Sequence, residues 1–90
     1  MRGDRVIVRA LGGTATTGRV WDVSGQVVFV TSDANFDRLT RRMAGPPPIG
    51  FPAADVFIFE PGALENVRAN GWAVLRSWTS GMTNIRAIYG

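Results

Sequence analysis

Cysteine, histidine and lysine are all missing from this chain of 90 residues. Without cysteine there are no disulfides and no thiolate metal sites, and the redox compartment is unreadable. Without histidine the chain lacks the commonest metal ligand and the commonest general base. Without lysine, all ten cationic side chains are arginine. That has two readings, the codon bias of a GC-rich genome or a use for the guanidinium itself. No apolar run approaches the roughly 18 residues that a membrane-spanning helix requires, so no membrane partner is expected. Met1-Arg2-Gly3-Asp4 leads directly into strand-like sequence without the apolar stretch of a secretion signal, so a cytoplasmic location is expected.

What remains is globular in composition, with 46% hydrophobic and 19% charged residues. The length predicts a single domain over 1–90 with one modest core. The formal charge of +3 is mild, and it admits nucleic acid as a partner without requiring one.

Arg5-Val6-Ile7-Val8-Arg9 reads as a strand with Val6 and Val8 on one face and Arg5, Ile7 and Arg9 on the other. Gly12-Gly13 and Thr14 to Thr17 read as a flexible loop. Gly18 to Val23 forms a second strand, with Val20 and Asp22 opposite Arg19, Trp21 and Val23. Ser24-Gly25 joins it to Gln26–Thr31 as a hairpin. The period then changes: Phe36, Leu39 and Met43 mark one face of a helix, with Ser32 or Asp33 capping its start. Gly45 is expected just past its end, and Pro46-Pro47-Pro48 forbid continuation and enforce an extended connection. Arg38, Arg41 and Arg42 fall off the apolar stripe, two of them in the last turn, where the helix dipole favours a cation.

Asp55-Val56-Phe57-Ile58-Phe59 reads as a buried strand broken by Glu60-Pro61-Gly62. A second helix is expected from Pro61, with Leu64 and Val67 inward and Asn70-Gly71 at its end. Trp72 to Trp78 reads as a strand, with a helix as the alternative. Ser80-Gly81 and Met82 to Asn84 are expected to turn the chain so that Ile85 to Tyr89 returns as a partner strand.

The order strand, loop, hairpin, excursion, strand, helical turn predicts a mainly β (β-rich α+β) fold. "GDRVIVRALGG", "TGRVWDVSGQVVFV" and "GFPAADVFIF" resemble an SH3-like small barrel of about five strands. The barrel is expected over about 3–60, with one or two short helices and a C-terminal extension over about 61–90. An open α+β sheet is the main alternative. "GDRV", Gly18-Arg19-Val20 and "DVFIFEPGALENV" further resemble the plasmid-borne, type B dihydrofolate reductases. That family implies a tetrameric SH3-like pore that takes folate and NADPH. Its Gln-Ile-Tyr triplet matches Phe57, Ile58 and Phe59, where only the isoleucine agrees, and its pore lysine has no counterpart.

Catalysis requires convergent titratable groups, and the seven carboxylates form no close pair suited to acid–base work. Asp33 and Asp37 share a helix face that a hard cation could use, but a cap and a first-turn acid explain them without one. Gly12-Gly13-Thr14 lacks the lysine and the following helix of a phosphate loop. No metal, cofactor or catalytic residue is therefore expected. Two binding surfaces are. Arg5, Arg9, Arg19 and Trp21, joined by Arg38, Arg41 and Arg42 if these lie alongside, have the arginine-and-indole chemistry that takes single-stranded nucleic acid. Phe51, Phe57, Phe59, Trp72, Trp78 and Tyr89 have that of a protein interface, including self-association into a homo-oligomer. A non-enzymatic binding or assembly module is the leading expectation, with protein or self ahead of nucleic acid.

Overall fold

β-Branched side chains favour strands because their restricted χ1 suits a pleated surface better than a helix. The computed structural model describes residues 2–9, 15–59 and 82–89. It forms strands from the valine-rich runs: β1 at Arg5–Arg9, β2 at Ala15–Ser24 and β3 at Val27–Thr31. Helix α1 spans Asp33–Thr40 and β4 spans Ile49–Pro52. A 3₁₀ turn over Ala53–Asp55 leads into β5 at Val56–Phe59, and β6 at Met82–Asn84 runs into α2 at Ile85–Tyr89. All six strands pair antiparallel in one sheet of order β4-β3-β2-β1-β5-β6.

The mainly β expectation holds. The closed five-strand barrel is corrected: among the described residues the ladder is open, with β4 and β6 at its ends. β6 occupies the edge of β5 that closure onto β4 would need. The expected second helix and the strand at Trp72 to Trp78 lie outside the described residues.

The core is largely valine. Val6, Val8, Val20, Val28, Val30, Val56, Ala53 and Ile85 form one buried cluster, with Val23, Phe51 and Ile58 packed against it. Each fully buried valine contributes on the order of 1.5–3 kcal/mol. Ile7 points to the other face of β1 and is equally inaccessible, so both faces of this strand are covered. The face expected to present Arg5, Ile7 and Arg9 together is therefore sealed at its centre.

Two details of the hairpin differ from the expected alternation. The turn residues are Gly25 and Gln26, one position later than expected, and Gly25 takes φ +59. The β2–β3 register also shifts between Val20 and Asp22. A bulge inserts one residue and inverts the side-chain alternation beyond it. Val23 accordingly packs on the core with Val20, while Asp22 turns to solvent and its carboxylate accepts the Val23 N–H at 2.9 Å. Gly18 is required for close approach, because a Cβ there would stand 2.6 Å from the Thr31 carbonyl oxygen.

Ser32 is the N-cap of α1, its Oγ accepting the Asn35 N–H at 3.1 Å. The C-terminal stop is not Gly45. Arg41 is the C-cap and Arg42 takes the left-handed position at φ +59. Arg42 N–H donates to the Leu39 carbonyl at 3.1 Å and Met43 N–H to that of Arg38 at 2.8 Å, a Schellman motif. Met43 therefore lies beyond the helix and is exposed, not on its buried stripe. Gly45 serves a different purpose: a Cβ there would overlap the Oδ1 of Asn35. The buried Asn35 donates from Nδ2 to Thr31 Oγ1 at 2.6 Å and to the Pro46 carbonyl at 2.8 Å, fastening the proline segment back against the helix. Its Oδ1 has no hydrogen-bond partner.

The expected turn at Met82 to Asn84 is a strand, and the expected strand at Ile85 to Tyr89 is a helix. Asn84 causes both. Its Nδ2 donates to the carbonyls of Ala53, Ala54 and Val56 at 3.0–3.1 Å, and its Oδ1 accepts the Arg86 N–H at 3.1 Å. One side chain thus closes the 3₁₀ turn and caps α2, and the next residue, Ile85, enters the core.

Candidate functional site

Arg5 and Arg19 stand directly opposite one another on β1 and β2. Like charges so placed repel. Asp33, the first residue of α1, meets both: its carboxylate accepts from Arg19 Nε at 2.9 Å and lies 3.7 Å from Arg5 Nη2. Arg19 Nη1 also donates to the Gly3 carbonyl at 2.9 Å. Arg9, at the far end of β1, donates through Nε and Nη2 to one oxygen of Asp55 at 3.1 and 3.0 Å. The three arginines expected to track phosphates are thus each matched by a carboxylate of the same chain.

Trp21 is half-buried in a stack the sequence did not reveal. The Arg2 guanidinium lies 4.4 Å from its ring centroid, and Arg2 Nε donates to the Trp21 carbonyl at 2.7 Å. Phe36 meets Trp21 edge-on at 5.8 Å, and Arg19 covers Phe36 at 5.7 Å. The indole packs between an N-terminal cation and the buried side of α1. Arg2 and Phe36 are the participants that strand periodicity missed. A cation close to the N-terminus and an aromatic on the apolar stripe of α1 were the available signals.

Arg38, Arg41 and Arg42 do not join this group. Phe36 directs one side of α1 toward Trp21, while the three arginines are exposed at the helix's C-terminal end. Arg41 lies 3.9 Å from Asp37, an exposed pair contributing at most about 1 kcal/mol. Arg38 and Arg42 make no ion pair among the described residues. From Arg41 to Pro47 every residue is exposed, and so are Ile49 and Gly50 beyond Pro48. Met43 and Ile49, accessible to 56% and 62%, flank the three prolines.

The aromatic set is divided. Phe51 packs against the core, Phe57 lies beneath Arg9 at 5.7 Å, and Phe59 is half-buried. Trp72 and Trp78 lie outside the described residues. Tyr89 ends α2, and its side chain is outside the described ones. Of the triplet Phe57, Ile58 and Phe59, the isoleucine packs on the core.

A notch of about 90 Å³ opens beside the hairpin turn, between Val23, Gly25, Gln26, Val28, Ala53, Ile85 and Arg86. Among the described residues no group of carboxylates is arranged to hold a metal, and no helix is long and apolar enough to cross a membrane. No family model, curated protein or solved structure matches the chain.

Proposed function

We propose that this chain is a non-enzymatic module that binds another protein, with the exposed connection between α1 and β4 as its contact surface. The observation that carries this reading is the exposure of Met43 and Ile49 on either side of Pro46-Pro47-Pro48. A single exposed apolar side chain needs no explanation. Here two of them bracket a stretch that proline geometry and the Asn35 hydrogen bond to Pro46 hold in place. A segment already ordered loses little conformational freedom on binding.

Self-association through this surface is less well supported. A two-fold contact sets the same patch of both copies face to face, which brings the arginine cluster of one toward that of the other. The nucleic-acid reading is weakened by the carboxylates held against Arg5, Arg9 and Arg19. A reductase-like pore is weakened by the phenylalanines at 57 and 59, which offer no hydrogen-bonding atoms.

Photocrosslinking tests the proposal. A photoreactive residue replaces Met43, Ile49 or, as a control, the exposed Thr17 of β2, in cells of the native host. Discrete adducts at positions 43 and 49 but not at 17 are expected. Adducts at none of the three, or equally at all of them, refute this contact surface.

A further inference from the structure

We infer, resting on the reading of the α1–β4 connection as a protein-binding surface, that its partner is an acidic segment in which carboxylates alternate with apolar side chains. The first ground is charge. Arg5, Arg9, Arg19 and Arg41 each face a carboxylate of this chain, whereas Arg38 and Arg42 face none among the described residues. Arg38 and Arg42 both belong to the Schellman turn that leads into Met43. Asp37 is the acidic group of this helix end, and it lies on Arg41, so the free charge of the patch is positive.

The second ground is independent of charge. Arg42 holds φ +59, a conformation that glycine occupies without strain and that other residues rarely adopt. Among the described residues no carboxylate pairs with its exposed side chain, and the helix dipole favours a cation there only weakly. Backbone strain retained at an exposed position is a mark of a functional side chain. The left-handed turn brings the Met43 N–H onto the Arg38 carbonyl at 2.8 Å and leaves the Met43 side chain in solvent.

The third ground separates protein from nucleic acid. Phosphates would pair with the same guanidiniums, but single-strand binding also needs aromatic faces for the bases. Residues 41–50 contain no aromatic, and they offer a thioether and a branched alkyl group instead. A second copy of this chain is disfavoured by the repulsion between like clusters.

The test uses the full chain and three fluorescently labelled probes of about twelve units each: alternating Glu-Leu, alternating Gln-Leu, and oligothymidine. Anisotropy is expected to show Glu-Leu bound about tenfold or more tighter than Gln-Leu, with binding weakened several-fold as NaCl rises from about 0.05 to about 0.5 M. Arg38→Glu with Arg42→Glu is expected to abolish the preference, and Thr17→Glu to leave it intact. Arg42→Gly guards against misfolding, since it relieves the turn while removing the guanidinium, and it is expected to weaken Glu-Leu binding severalfold. Equal binding of the two peptides, or undiminished binding by the Arg38→Glu/Arg42→Glu variant, overturns the inference. Tight oligothymidine binding with no peptide binding replaces it with the nucleic-acid reading. If crosslinks at Met43 and Ile49 persist while the acidic preference is absent, the protein-binding surface stands and this partner chemistry falls.

Discussion

Arg42→Gly is expected to stabilise the protein, although it deletes a charged side chain. The left-handed conformation at φ +59 costs an L-residue with a Cβ about 1–2 kcal/mol. Glycine removes that cost but widens the unfolded ensemble, which returns about 0.5–1 kcal/mol. The side chain itself contributes little, since it is exposed and has no ion pair among the described residues. The loss of a cation near the helix terminus subtracts a few tenths of a kcal/mol at most. The net gain is about 0.5 kcal/mol, or roughly 2–4 °C in Tm for a chain of this size. Arg42→Ala is the matched control, because it loses the same charge and still has to adopt the left-handed turn. Urea unfolding followed by tryptophan fluorescence should place the midpoint of Arg42→Gly above both wild type and Arg42→Ala, at constant slope. A glycine variant no more stable than the alanine variant would falsify the assignment of strain to this turn.

Two further predictions concern the polar groups that organise the sheet. Asn84→Ala removes the donor shared by three carbonyls and the cap of α2, and should cost about 1–3 kcal/mol, measured by urea denaturation. Asp33→Asn leaves Arg5 and Arg19 opposed without their shared carboxylate. Because Asp33 is more than half exposed, the expected loss is below about 1 kcal/mol. It should shrink as salt is raised to about 0.5 M, and a loss independent of salt would argue for packing over charge.

The strands and the helix were legible because their signals are local. Val6, Val8, Val20, Val28, Val30 and Val56 are β-branched, in short runs, and become the core. Ser32 caps α1 where the period changes from two to 3.6, and Arg38, the arginine of its last turn, faces solvent as the apolar stripe requires, while Arg41 and Arg42 fall at and beyond its C-cap. The stop of α1 was misread because Gly45 follows the helix closely enough to look like its terminator. Arg42 holds the left-handed position instead, and Gly45 makes room for Asn35. The C-terminal piece was misread because three- and five-residue elements are too short to show a period. There one side chain, Asn84, outweighs local propensity through hydrogen bonds to residues far away in sequence.

The same contrast governs the candidate sites. By itself the sequence determined that the chain has no thiol, imidazole or amine chemistry beyond its N-terminus, that its cations are arginines, and that a stiff proline segment leaves a helix rich in them. Only the tertiary structure decided which arginines remain available. Arg5 and Arg19 are brought opposite each other by the β1–β2 register, and Asp33 reaches them because α1 folds back over that pair. Asp55 reaches Arg9 because β5 docks along β1. Charge neutralisation acts over a few ångströms in space and is indifferent to distance along the chain. The clusters that look alike as sequence therefore differ as surfaces: one matched by its own carboxylates, the other with two guanidiniums facing water.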